Sequence, residues 1–159
     1  MDVLSKAINM EIEGAEFYRN LAKNSKSNSL KVILNLLAED EEKHEKTFKA
    51  WKDNEKVAMV ESKTISEVDS IFQDVQKEDF VKAHSQLELY MKARDMEQQG
   101  IEYFTEQKQN PENELNFEII DKIIAEEKRH YKLLTNIIEF IATPDDWVES
   151  AEFGVRGDY

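Results

Sequence analysis

The sequence predicts an all-α protein, an antiparallel four-helix bundle with one long crossover between its second and third helices. Three observations predict it. The 159 residues include only four glycines and two prolines among many Glu, Lys, Leu, Ile and Ala, a composition that favours helix over sheet. Apolar residues recur at helical spacing in four long segments. Segments one and two, and segments three and four, are joined by short connections, which predicts two antiparallel hairpins. Residues 54–80, by contrast, can run the length of a bundle.

The first segment runs from about Val3 to Asn24, with an inward stripe of Leu4, Ile8, Glu11, Ala15, Tyr18 and Ala22. The polar stretch NSKSNS ends it, and Asn28 or Ser29 is placed to cap the next helix. That helix spans about 30–53, with stripe Leu30, Leu34, Leu37, Glu41, His44, Phe48 and Trp51. In the crossover, Thr64-Ile65-Ser66-Glu67 reads as a capping box and predicts a short helix. The third long segment spans about 81–109, with Tyr90, Ala93, Glu97, Ile101 and Phe104 inward. Asn110 followed by Pro111 suits a cap and first helical position for the fourth. It runs to about Ala142 on the stripe Ile120, Ile123, Glu127, His130, Leu134, Ile137 and Ile141. Residues 1–142 thus form the bundle. Residues 143–159 form a C-terminal docking tail, in which Trp147 and Phe153 would dock on this chain or a partner. Exposed apolar residues in the crossover and tail suit a homodimer.

Composition excludes several chemistries. Without cysteine there is no disulfide, zinc–thiolate site, iron–sulfur cluster or thiol nucleophile, which also fits a cytoplasmic location. A net charge of −13 repels nucleic acid and anionic membranes and attracts cations. The N-terminus has no continuous apolar signal region, and no apolar run approaches the roughly 20 residues of a membrane span.

The chemistry lies where the stripes are interrupted. Glu11, Glu41, His44, Glu97, Glu127 and His130 occupy positions that periodicity assigns to the core. Four carboxylates in one interior would not all stay ionised without compensating positive charge. Two divalent cations supply it. The spacing repeats: Glu11 to Glu41 and Glu97 to Glu127 are each 30 residues, and each Glu-x-x-His pair is three. A shift of 86 residues superposes the two sets and also pairs Met10 with Met96, Gly14 with Gly100, and Phe17-Tyr18 with Tyr103-Phe104. This reads as an internal duplication about an approximate two-fold axis. Residues i and i+3 share a helix face, so each Glu-x-x-His pair can reach one metal centre. Glu and His donors without thiolate suit iron or manganese and tolerate zinc. The run from Glu39 to Glu42 is otherwise read as solvated, with only Glu41 inward. Glu126 is read as the outward neighbour of Glu127, and His84 as surface.

Met10-Glu11, Phe17-Tyr18, Glu41-Glu42-Lys43-His44 and Glu127-Lys128-Arg129-His130 resemble the ferritin-like di-iron carboxylate proteins, and within them the rubrerythrin group. The resemblance covers nearly the whole chain, with residues 54–80 its vague part. It implies a ferritin-like bundle, a di-iron centre, and redox chemistry with hydrogen peroxide or dioxygen. Glu11 and Glu97 would be terminal ligands, Glu41 and Glu127 bridging ones, and His44 and His130 would complete the two shells. Tyr18 becomes a candidate catalytic residue, as hydrogen-bond donor to a ligand or one-electron reductant; plain aromatic packing is the alternative. Full rubrerythrins carry a rubredoxin domain held by cysteine thiolates, so a chain without cysteine calls for a separate electron-donor protein. They also carry an additional glutamate about one turn after the third-helix ligand, where this chain has Gly100. That glycine either leaves room for a small oxidant or allows close packing. Peroxidase chemistry is the reading preferred by resemblance. A ferroxidase or iron-storage role is the alternative, and a metal-free interaction bundle is the third.

Overall fold

The computed structural model describes residues 2–54, 64–111 and 116–143, with backbone alone for 64–66. Its order is α1 (Val3–Lys23), α2 (Asn28–Lys52), α3 (Thr64–Asp74), α4 (Lys77–Lys82), a 3-10 turn (His84–Gln86), α5 (Leu87–Gln109) and α6 (Phe117–Ala142). The described residues contain no strand. The protein is the all-α bundle the periodicity predicts, with α1, α2, α5 and α6 as its four long helices. No helix among the described residues is long and apolar enough to cross a membrane.

Side-chain pairings give the directions. Along α1 and α2, Ser5 meets Lys52, Glu11 meets His44, and Arg19 meets Asn35. Partner numbers fall as chain numbers rise, so the pair is antiparallel. Lys108 with Asp121, Glu97 with His130, and Arg94 with Thr135 make α5 and α6 antiparallel likewise. Tyr18 with Glu97 and Val3 with Tyr103 do the same for α1 and α5. Helices α2 and α5 therefore run the same way, and the intervening chain must return along the bundle.

Several boundaries differ from the expected ones. Ser27, not Asn28 or Ser29, caps α2: its hydroxyl accepts from the Leu30 N–H at 3.1 Å. The fourth long helix starts at Phe117 under the cap Asn116, not at Asn110-Pro111. Proline forces the preceding residue toward extended backbone, and Asn110 has that conformation at the end of α5 (ψ 111°). Pro111 lies in a turn. The third segment is broken at Ala83–Gln86, although nothing there is a strong breaker. The break is tertiary in origin. Phe80 is buried against Phe140, with ring centroids 5.3 Å apart, and the Gln86 amide donates to the Leu21 carbonyl.

The crossover adds Val68, Phe72, Val75, Phe80 and Ala83 to the core. In its described part the expectation of exposed apolar residues is thus corrected, although Val81 remains exposed. The expected docking tail, with Trp147 and Phe153, lies outside the described residues. Ser27 ties this layer down, donating to Asp79 at the start of α4 at 2.9 Å while capping α2. Ser27→Ala removes a buried cap and leaves Asp79 short of a donor. Thermal or urea unfolding of the metal-free protein should show a loss of about 1–2 kcal/mol.

Two apolar clusters fill the interior. One contains Tyr18, Leu34, Leu37, Tyr90, Leu134 and their neighbours. The other contains Ala7, Ile8, Phe48, Phe104, Ile120 and Ile123. Trp51 stacks on Phe48 and closes the second, with centroids 6.4 Å apart. Between the clusters lies a polar layer.

Candidate metal centre

The layer is made of the six residues that interrupt the stripes. Glu11, Glu41, His44, Glu97, Glu127 and His130 are all buried, none more than 5 % exposed. Helix α1 delivers Glu11, α2 Glu41 and His44, α5 Glu97, and α6 Glu127 and His130. One turn separates each Glu from its His, so both point into the same layer. His44 Nδ1 lies 3.3 Å from Glu11 Oε2 and 3.9 Å from Glu41 Oε2. His130 Nδ1 lies 3.3 Å from both Glu97 Oε1 and Glu41 Oε1. Two donor groups result. Glu11, Glu41, His44 and Glu127 offer one ligand atom each within 4.8 Å of one another, as do Glu41, Glu97 and His130. Either group could hold a metal ion.

The free valences of the layer fit such an occupant. Among the described residues Glu11 Oε1, Glu41 Oε1, Glu97 Oε2 and Glu127 Oε2 are buried and make no hydrogen bond, Glu41 Oε1 having only its 3.3 Å ion-pair contact with His130 Nδ1. Such groups cost about 1–3 kcal/mol each, and more when charged. One such oxygen on each of four converging carboxylates fits a pair of cations.

The sequence profile of the rubrerythrin family matches residues 2–138. The chain belongs to the rubrerythrin family. No curated protein and no solved structure matches it. For a rubrerythrin-family chain, the two glycines are informative. A Cβ on Gly100 would lie 2.7 Å from Glu127 Oε2, whereas one on Gly14 would lie 3.5 Å from Glu41 Oε2. Gly100 therefore allows the Glu127 carboxylate to pack against the α5 backbone. A cavity of about 80 Å³ also reaches this layer between α1 and α5, with Met10, Phe17, Met96 and both glycines in its wall. Close packing and room for a small molecule thus coexist. Gly100→Ala should displace Glu127 and lower retained metal, measured after dialysis. Gly14→Ala makes only an ordinary contact. It should retain metal and raise the melting midpoint, since alanine is favoured in a helix by about 1 kcal/mol.

Tyr18 is in the core, and its hydroxyl donates to Glu97 Oε1 at 2.8 Å. Tyr90 is buried too, with its hydroxyl unpartnered among the described residues. His84 is exposed, as expected, and so are Glu13, Glu16 and Glu102.

Two residues read as solvated are buried instead. Asp40 is 1 % and Glu126 7 % exposed. Asp40 Oδ2 lies 2.8 Å from His130 Nε2, and Glu126 Oε1 lies 3.3 Å from His44 Nε2. Each hairpin therefore supplies the outer carboxylate for the other hairpin's histidine. A carboxylate only accepts, so Nε2 carries the hydrogen, and in the neutral ring the Nδ1 lone pair faces the four glutamates. The shift of 86 residues pairs Asp40 with Glu126, and this was the signal available in the sequence.

Protonation follows from crowding. Burial, and then Glu11, push the Glu41 carboxyl up to about 7. Burial, and then Glu41, do the same to Glu97, also to about 7. Burial and Glu11 raise Glu127 well above the carboxylate range. Burial opposes the charged forms of His44 and His130, but the carboxylates around each ring together outweigh it, Glu11, Glu126 and Glu41 for His44 and Glu97, Asp40 and Glu41 for His130, and both histidines move upward. Burial and Glu97 raise Tyr18, so its hydroxyl keeps the proton it donates. Without metal, protons are the positive charge that this layer collects.

Proposed function

We propose that this protein is a non-haem di-iron protein that reacts with hydrogen peroxide or dioxygen, and that reduction of peroxide is its activity. The supporting observation is the convergence on two imidazole Nδ1 atoms of four buried carboxylates, each with an oxygen that makes no hydrogen bond among the described residues. Glu11, Glu41, Glu97 and Glu127 would hold the two ions through their carboxylates, and His44 and His130 would each add a nitrogen. Manganese or zinc could take the same donors. Two ferrous ions held there would supply the two electrons that, with two protons, convert hydrogen peroxide into two waters.

The chain's own residues set the conditions. The cavity beside Gly14 and Gly100 admits a molecule of a few heavy atoms. Apolar clusters on both sides keep bulk water away and strengthen electrostatic interactions in the layer. Tyr18 fixes the Glu97 carboxylate, and Asp40 and Glu126 hold the two rings. These 159 residues contain no cysteine, so re-reduction would draw on an electron donor outside them.

A ferroxidase or storage role is the second reading, favoured by the net charge of −13, which concentrates cations. Anaerobic purification with metal analysis and particle mass, followed by rapid mixing, separates the two. The peroxidase reading expects about two ions per chain, a fast optical change with peroxide and a slow one with dioxygen. The reverse preference, or a large particle loaded with iron far beyond the site, supports the second reading. Negligible metal sinks both.

A further inference from the structure

The shift of 86 residues extends beyond the donors to the way in. It pairs Met10 with Met96, Glu13 with Gln99 and Gly14 with Gly100, and all of these line the cavity between α1 and α5. The cavity therefore straddles the approximate two-fold axis. Its wall is graded in depth. The four donor glutamates are buried, Met10, Phe17 and Met96 are half-buried, and Glu13 and Gln99 are exposed. Phe17, Met96, Glu13 and Gln99 also line a wider surface groove, together with Glu16, Lys92 and Asp95. The cavity thus opens to the surface through an apolar neck.

A second pair of contacts braces the opening. Lys6 on α1 lies over the Tyr103 ring on α5, 4.6 Å from its centroid, and Lys92 on α5 lies over the Phe17 ring on α1 at 5.7 Å. The same shift pairs Lys6 with Lys92 and Phe17 with Tyr103. Along each helix the glycine and the methionine of the cavity stand between the members of these two clasps. Attraction between ammonium and ring holds the helices together on either side of the opening.

We propose that Met10, Phe17 and Met96 form the specificity-determining neck of a passage to the carboxylate layer, one that admits an uncharged oxidant of a few heavy atoms and rejects bulky hydroperoxides and anions. Unbranched thioether chains fill irregular gaps and flex, so they yield to a small molecule before a large one. An apolar neck strips water from an ion that enters it, a cost that an uncharged molecule escapes. The groove outside adds repulsion for anions, since Glu13, Glu16 and Asp95 face it against Lys92 alone. Hydrogen peroxide and dioxygen meet both criteria. Superoxide fails on charge, and an aryl hydroperoxide fails on size.

The identity of the oxidant rests on the function proposed above, whereas the passage is measurable without metal. These 159 residues contain no cysteine, so Ala93→Cys places a single thiol in the buried wall of the cavity. In the metal-free full chain this thiol is titrated with methyl, benzyl and 2-sulfonatoethyl methanethiosulfonate, each rate being divided by its value in the urea-unfolded chain. Folding should slow the benzyl and sulfonatoethyl reagents about 10–100-fold more than the methyl one. Adding Met10→Ala with Met96→Ala should return most of the benzyl rate. Glu13→Gln with Asp95→Asn should speed the sulfonatoethyl reagent alone. Far-ultraviolet circular dichroism establishes that each variant is folded, and Gly14→Cys, where a Cβ makes only ordinary contact, repeats the measurement from the other helix. Equal slowing of all three reagents means that the thiol is reached by unfolding, and overturns the passage. A benzyl-to-methyl ratio unmoved by the two alanines overturns the neck. In the ferrous-loaded chain the same alanines should raise the rate with cumene hydroperoxide, relative to that with hydrogen peroxide, about 10–100-fold at unchanged iron content. An unchanged preference overturns the substrate class. Failure of the unaltered chain to hold iron, or to react with peroxide once it does, removes the proposed function instead, and the thiol rates still decide the passage.

Discussion

Glu41→Gln is expected to abolish retention of the metal pair while leaving the metal-free protein at least as stable as the unaltered chain. Glu41 is the one carboxylate found in both donor groups, so its loss disables both subsites. It is 4 % exposed, and Glu11 is the largest charged influence on it. In the absence of a cation that arrangement is unfavourable: burial penalises the ionised form, and a like charge stands beside it. The carboxamide has nearly the same volume and removes the charge, so packing is kept and repulsion falls. Metal analysis after anaerobic purification should drop from about two ions per chain to one at most. The peroxide-dependent change should fall by more than the roughly 10–100-fold that loss of an outer partner costs. The melting midpoint of the metal-free variant, measured near pH 8, should equal or exceed that of the parent. A bundle that binds no metal predicts no difference in metal content. A variant retaining two ions with parental reactivity would show that Glu41 does not bridge.

Periodicity was a strong guide to the helices, because long amphipathic segments leave little ambiguity in which residues face inward. Every stripe residue from Ile8 to Tyr18 and from Leu30 to Phe48 is buried. The six donors were legible for the same reason: an ionisable residue on an apolar stripe needs a partner, and an exact repeat of spacing supplies one. Asp40 and Glu126 were missed because each stands one residue before a stripe position. A bundle helix touches two neighbours, so its buried arc is wider than a single stripe. Helix α2 packs along α1 through one face and reaches α6 through another, where Asp40 meets His130. The break at Ala83–Gln86 and the start at Phe117 depend on tertiary anchors and on a cap several residues from the obvious one. Local composition does not encode either.

Metal-free protein is expected to lose thermal stability as the pH rises from about 5 to 8, and bound divalent cation to reverse the trend. For Glu41 and Glu97 the unfolded value is near the ordinary 4.5 and the folded value about 7. Between those limits the folded state holds protons that the unfolded chain has released. Stability therefore falls with increasing pH across that window. His44 and His130 are raised above 6.5 in the fold. Their contribution is complete below the unfolded value and is lost as the pH rises through the folded one, so it has the same sign. Each tenfold gain in proton affinity on folding corresponds to about 1.4 kcal/mol, and the two carboxyls together represent on the order of several kcal/mol, a large share of a domain's stability. A cation requires the deprotonated ligands, so its affinity grows over the same pH range and its stabilisation replaces that of the protons. Melts across the range, with chelator and then with manganese(II), test both slopes. Surface repulsion from the −13 charge also favours lower pH, but salt screens it and should scarcely affect the buried layer. The discriminating measurement is thus the metal-free slope at high salt, parent against Glu41→Gln. A shallower slope in the variant locates the effect in the carboxylate layer. Identical slopes, or a parent that grows more stable with rising pH, would place the titrating groups elsewhere.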